Sequence, residues 1–177
     1  QYKDGIFRLG VDVKNSNNTE KTVRVKYELR DDKGNTIGKS EQNVNVKAKS
    51  KKTVNFGDSI LNVKTWTAEY PNLYQLLMTI EENGKINEVI PFRIGFRKIE
   101  IKDSGLKVGD RHLWSFYVNN QPIKLKGVNI HETTEDGHYL TPEQMIRNFE
   151  MMRPHNINSV RLSHYPQERK FYEMRDV

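Results

Sequence analysis

Apolar and polar residues alternate through most of the first hundred positions, and a period of two is the pattern of a half-buried β-strand. The alternation is clearest in IFRLGVDV (6–13) and KTVRVKYELR (21–30). Short strands at regular spacing, with turns between them, predict a β-sandwich of the immunoglobulin type over residues 1–101. The chain has no cysteine, so this sandwich would lack the disulfide of an antibody domain. The other alternating runs lie at 36–48, 51–57, 73–80 and 86–101.

A connector with strand character follows at 102–125. It contains a hairpin that we expect to turn at Asn119 and Asn120, because asparagine adopts positive φ more readily than most residues. From residue 126 the order becomes strand, helix, strand, helix, which favours an incomplete parallel α/β unit over 126–177. In a barrel built from such units, the chemistry lies at the carboxyl ends of the strands.

The first helix of this unit has clear signals at both ends. Thr141, Pro142 and Gln144 suit the N-cap, N1 and N3 positions of a capping box. We expect Asn156 to end the helical region in the left-handed conformation. A strand at 157–162 and a second helix from near residue 167 follow. The residues expected to face the core are Met145, Ile146, Phe149 and Met152 in the first helix, and Phe171 and Met174 in the second.

Polar side chains stand at the carboxyl end of each predicted parallel strand. Asn129 and His131 follow the first strand, and Arg161 and His164 follow the second. In a barrel they would face one mouth, where a histidine donates to substrate hydroxyls or stabilises developing charge. Arg161 lies in a predicted buried strand and would need a carboxylate partner there. Spacing alone leaves two alternatives open: histidines in ordinary loops, and an arginine in a surface salt bridge.

An acidic cluster lies beside His131. Glycoside hydrolysis needs paired carboxylates, but Glu132, Glu135 and Asp136 lie on one loop, so we interpret them as solvated charges. His131, Glu132 and His138 also have the chemistry of metal ligands. No second spaced pair of ligands supports that hypothesis, and we expect no metal site here.

The composition limits the partners. The net charge is +6, but the basic residues alternate with apolar ones, so we assign them to solvated strand faces and expect no nucleic-acid binding. No apolar run approaches the roughly 18 residues of a membrane-spanning helix, and we expect no membrane partner. The absence of cysteine is compatible with cytoplasm and periplasm alike.

Four segments together resemble glycoside hydrolase family 2, of the β-galactosidase type: WTAEYPNLY (66–74), IGFRKIEI (94–101), NNQPIKLKGVNIHE (119–132) and VRLSHYP (160–166). The resemblance implies an immunoglobulin-like sandwich followed by the first β/α repeats of a TIM barrel, as a fragment of a longer retaining glycosidase. The chain departs from the family pattern at Asn120, where glycine is common, and at Ile130, where many members have arginine. It also has Thr133 and Thr134 where bacterial members often have histidines.

The resemblance also implies roles for individual residues. His131, His164 and Asn129 would bind the sugar, and Arg161 would orient the nucleophilic carboxylate and keep it ionised. No catalytic residue is expected within the 177 residues, because the acid/base and nucleophile glutamates of the family come from later barrel strands. No cofactor is expected here, and magnesium is implied only for the longer protein. The implied substrates are terminal β-D-galactosides or related oligosaccharides.

Three expectations follow from an incomplete barrel. The chain alone would have no glycosidase activity. Because a barrel needs about 250 residues, apolar surface would stay exposed around Phe149, Met152, Ile157 and Phe171. That surface would fold back on the sandwich, be covered by another copy in a homo-oligomer, or be poorly ordered. Two other functions stay open: a β-glucuronidase of the same family, and a non-catalytic sugar-binding module of the immunoglobulin type.

Overall fold

The chain folds into two compact units, in a computed structural model that describes residues 3–135 and 137–174. The first unit comprises Gln1–Trp66 and Asn72–Arg97, and the second comprises Thr67–Pro71 and Lys98–Val177. In the described part of the chain, no helix is both long and apolar enough to cross a membrane.

The first unit is the predicted β-sandwich. One sheet pairs β1 with β4, and the other has the order β3-β2-β5-β6, with every neighbouring pair antiparallel. The burial of these strands follows the alternation in the sequence. In β2, the odd positions from Val23 to Leu29 are buried, whereas the even positions are exposed or half-buried. The strands are β1 (Gly5–Lys14), β2 (Lys21–Arg30), β3 (Thr36–Val46), β4 (Lys51–Ile60), β5 (Tyr74–Glu82) and β6 (Lys85–Ile94).

Aromatic rings from both sheets meet in the core of the sandwich. The ring of Tyr27 lies 4.9 Å from that of Phe7 and 5.2 Å from that of Phe56, measured between centroids. Val25 and Leu29 on the same strand as Tyr27 are fully buried. The Tyr27 hydroxyl reaches the margin of this core, where it donates to Asp58 Oδ2 at 3.2 Å.

The second unit begins with a small antiparallel sheet and continues with two parallel strands and two helices. The predicted hairpin is present, since β8 and β9 turn at Asn119 and Asn120, whose φ angles are 49° and 66°. Strands β10 and β11 pair in parallel, as the order of elements predicted. The elements are β7 (Ile99–Val108), β8 (Arg111–Val118), β9 (Gln121–Ile123), β10 (Gly127–Ile130), α1 (Pro142–Met152), β11 (Ser159–Leu162) and α2 (Arg169–Met174).

Helix α1 begins and ends as its sequence predicted. Gln144 N–H donates to Thr141 Oγ1, and Thr141 N–H donates to Gln144 Oε1, which completes the capping box. A short 3₁₀ turn extends the helix over Arg153–His155, and Asn156 follows in the left-handed conformation with φ 55°. Helix α2 begins at Arg169, two residues after the predicted start.

The core of the second unit differs from the expected one at Ile146. Met145 and Phe171 are fully buried, and Ile130 and Leu140 are buried beside them. Ile146 is 46% exposed, so its assignment to the core was wrong. Phe171 faces the core, as its helical spacing predicted. The expectation that apolar surface would stay exposed around it was wrong, because its ring packs against Phe149 at a centroid distance of 5.0 Å and is 1% exposed. The first two β/α repeats therefore cover this ring without further strands.

The alternating run at 86–101 forms parts of two strands. Strand β6 ends at Ile94 and β7 begins at Ile99. Between them, Phe96 forms an isolated bridge with Thr65, and the Arg97 guanidinium lies 4.4 Å from the centre of the Trp66 ring. The backbone of Gly95 lies close to Trp66, and a Cβ atom at Gly95 would clash with the Trp66 side chain.

We predict that Tyr27 makes the sandwich sensitive to alkali. Burial, and secondarily the charge of Asp58, raise the pKa of Tyr27 from 10.0 to about 12. The unfolded chain therefore loses this proton at lower pH than the folded chain does. The corresponding stabilisation is fully present below pH 10 and is lost as the pH rises through 12.

Urea unfolding at a series of pH values tests this. Above pH 10, the free energy of unfolding should fall more steeply with pH for the parent than for Tyr27→Phe. Near pH 8, the slopes for the two proteins should be equal. Equal slopes for the two proteins in the alkaline window would contradict the prediction.

Candidate functional site

The parallel pairing of β10 with β11 places the polar residues side by side. The register sets Asn129 opposite Arg161 and Ile130 opposite Leu162. Because the strands are parallel, the residues that follow both of them emerge at one edge. The strands approach closely at their amino ends, where a Cβ on Gly127 would lie 2.5 Å from Ser159 Oγ.

Asn158 holds the amino ends of the two strands in register. Its Oδ1 accepts from Lys126 N–H at 2.8 Å, and its Nδ2 donates to the carbonyl oxygen of Lys124 at 2.9 Å. Its own N–H donates to the Lys126 carbonyl. At the other end, Ser163 N–H donates to the Ile130 carbonyl at 3.1 Å, which continues the pairing beyond β11.

The guanidinium of Arg161 is the centre of the cluster. Its Nη1 donates to Ser163 Oγ at 3.0 Å and to Asn129 Oδ1 at 3.4 Å, and its Nη2 lies 3.0 Å from His164 Nδ1. The residue is exposed, so the expectation of a buried arginine was wrong. Among the described strands, β11 pairs only with β10.

No carboxylate pairs with Arg161 among residues 3–135 and 137–174. A guanidinium has five N–H groups, and the three contacts engage three of them, which leaves two to donate elsewhere. All three partners are neutral when His164 accepts. The positive charge of Arg161 is therefore free to bind an anion.

The two histidines lie at the same edge. The ring centroids of His131 and His164 are 6.3 Å apart and the rings are perpendicular, and both side chains are exposed. Because Arg161 can only donate, His164 Nδ1 must accept, so its proton lies on Nε2. Nε2–H of His164 is then a donor available to a ligand.

Two residues of the candidate site, Ser163 and Tyr165, were not predicted from the sequence. Ser163 is 2% exposed and receives a hydrogen bond from Arg161, and the peptide bond between Ser163 and His164 is cis. The hydroxyl of Tyr165 accepts from Glu132 N–H at 3.3 Å, which links the two loops that follow β10 and β11. Both residues belong to the VRLSHYP segment, so the signal was present in the sequence.

The acidic loop does not gather a metal site in the described residues. Glu132 is half-buried, Glu135 and His138 are exposed, and Asp136 lies outside the described residues. In residues 3–135 and 137–174, no three side chains of the His, Cys, Asp or Glu types lie close enough to hold a metal ion.

The cluster presents hydrogen-bond donors around the guanidinium of Arg161, which pairs with no carboxylate among the described residues. The model for "Glycosyl hydrolases family 2" matches residues 1–97, and the model for the TIM barrel domain of that family matches residues 107–177. The chain belongs to glycosyl hydrolase family 2. The sandwich and the β/α repeats are thus the two family domains, the second represented by its beginning.

The relatives include several bacterial β-galactosidases. The chain is 33% identical to a β-galactosidase of Streptococcus thermophilus over 176 residues, which are 99% of this chain and 16% of that protein. It is 42% identical to a β-galactosidase of Vibrio vulnificus over 115 residues, 64% of this chain and 10% of that protein. The chain therefore spans about a sixth or less of the length of these two relatives.

Solved structures of the family have the same fold. A family 2 member from Bacteroides cellulosilyticus superposes with a TM-score of 0.87 at 22% identity, over 98% of this chain and 23% of that one. A β-glucuronidase of Bacteroides uniformis superposes with a TM-score of 0.84 at 25% identity, over 98% of this chain and 20% of that one.

We predict that Arg161 sets the tautomer of His164. Long-range ¹H–¹⁵N correlation spectra at pH 8 should show the Nε2–H form of His164, and Arg161→Gln should shift the population toward a mixture. Exposed His155, in the 3₁₀ turn after α1, serves as the reference and should not respond to the substitution. A dominant Nδ1–H form of His164 in the parent would contradict the hydrogen bond.

Proposed function

We propose that the chain is part of a retaining β-galactosidase and supplies one side of its sugar-binding mouth. The observation that carries the proposal is the exposed, donor-rich cluster of Arg161, His164 and Asn129 at the carboxyl ends of two parallel strands. In barrels of this type the chemistry lies at that end. The identity to the β-galactosidase of Streptococcus thermophilus, over 99% of the chain, supports the choice of substrate.

In this proposal, Arg161 holds the nucleophilic carboxylate. Retaining hydrolysis uses one carboxylate to attack the anomeric carbon and a second carboxyl group to protonate the leaving oxygen, after which water releases the sugar. The two remaining N–H groups of Arg161 would donate to the attacking carboxylate. Its positive charge would keep that group ionised and therefore nucleophilic.

The histidines and Asn129 would bind the sugar. His164 Nε2–H is a donor at the mouth, and His131 lies 6.3 Å from it between ring centroids, a separation that allows both to reach neighbouring hydroxyls of one sugar. Hydrogen bonds to the sugar hydroxyls that strengthen in the transition state lower the barrier more than they tighten substrate binding. Both glutamates would come from other barrel strands of the longer protein.

A β-glucuronidase is the second candidate, because the Bacteroides uniformis enzyme of that name superposes on 98% of the chain at 25% identity. That activity needs cationic recognition of the substrate carboxylate. Arg161 is a cation at the mouth, but in our proposal it already donates to the nucleophilic carboxylate. This leaves the galactoside as the substrate better supported by the described residues.

We predict that the purified 177-residue chain has no glycosidase activity. Among the described residues, the cluster holds donors but no pair of carboxylates facing each other across a substrate, and hydrolysis requires such a pair. Release of nitrophenol from nitrophenyl β-galactoside and β-glucuronide measures this. Turnover above the buffer rate with either substrate would contradict the prediction.

We predict further that Arg161→Lys in the longer protein lowers kcat/KM on the galactoside by about 10²- to 10³-fold, the usual effect of losing a preorganised donor. Lysine keeps the charge but not the planar fork that reaches several partners at once. Arg153→Lys, at an exposed position in the 3₁₀ turn, is the matched control and should retain full activity. Full activity of Arg161→Lys, or a preference for the glucuronide in the parent, would refute this proposal.

A further inference from the structure

Strand β1 has a free edge in the sandwich. Among the described strands, β1 pairs only with β4, so backbone N–H and C=O groups on its other side have no strand partner. The sheet that contains β1 has two strands, whereas the sheet that faces it has four. An edge of this kind is a template for a further strand.

An apolar groove runs along this free edge. One wall is the backbone and side chains of residues 6–10 in β1, and the other wall comes from β5 and β6. The groove encloses about 490 Å³, and it leaves Ile6 74% and Phe92 40% exposed. The apolar side chains on the second wall are Leu76, Met78, Phe92 and Ile94.

Two arginines give the groove a positive charge. Arg8 and Arg97 both line it, and in the described part of the chain neither forms an ion pair with a carboxylate. Arg97 lies instead over the ring of Trp66. An occupant that carries an acidic side chain would therefore be favoured over a basic one.

We propose that this groove binds one extended polypeptide strand, which adds to the free edge of β1. Main-chain hydrogen bonds to β1 would provide much of the affinity, and apolar side chains at alternate positions would fill the groove. An acidic residue of the strand would lie beside Arg8.

Hydrogen exchange of the full chain with a synthetic peptide tests the proposal. The probe is the capped octapeptide Val-Glu-Val-Thr-Val-Glu-Val-Thr, and the control is the same peptide with alternate backbone amides N-methylated on its pairing edge. The probe should slow exchange of the edge-facing amides of residues 6–10 by roughly tenfold, and the N-methylated peptide should not.

Charge reversal then tests the role of the arginine. Arg8→Glu should weaken peptide binding about tenfold, whereas Lys14→Glu should leave it unchanged. Lys14 is the matched control because it lies on the same strand, is exposed and does not line the groove. Both substitutions fall at exposed positions, so the sandwich should fold in either case.

Three outcomes would overturn the proposal. They are an unchanged exchange rate at residues 6–10, equal protection by the N-methylated peptide, and protection spread over both units of the chain. Concentration-dependent protection of β1 without any peptide would also overturn it, because the occupant would then be a second copy.

Discussion

The candidate site depends on the parallel pairing of β10 with β11. This short ladder sets Asn129 opposite Arg161 and sends the loops that carry His131 and His164 to the same edge. A slip of one residue would turn Arg161 to the opposite face of the pair. Asn158 opposes such a slip with three hydrogen bonds to the backbone before β10, and helix α1 covers the pair with Met145.

The hydrogen-bond partners of Arg161 differ from those of an arginine whose role is structural. In the sandwich, Arg30 donates twice to Glu28, and this pair together with Thr36 lowers the pKa of Glu28 to about 2. Arg161 instead contacts an amide, a hydroxyl and an imidazole nitrogen. These neutral partners orient the guanidinium without neutralising it.

Much of the local structure could be read from the sequence. The period of two predicted the sandwich strands, Thr141 and Gln144 predicted the start of α1, and the asparagines at the hairpin and after α1 adopt the expected positive φ angles. The incorrect predictions concern which side chains are buried by tertiary contacts. Ile146 has an apolar side chain at helical spacing but faces solvent, whereas Phe171 is covered by Phe149. The boundary between β6 and β7 was missed because apolar residues continue across it.

By itself, the sequence determined the order of elements, the ends of α1, and which polar side chains follow the parallel strands, because periodicity, capping and turn conformation depend on neighbours a few residues away. The tertiary structure decided the partners of Arg161, the contribution of Ser163 and Tyr165, and the groove beside β1. Each of these depends on the pairing of segments distant along the chain. Such pairing follows from the packing of whole surfaces, which no local pattern contains.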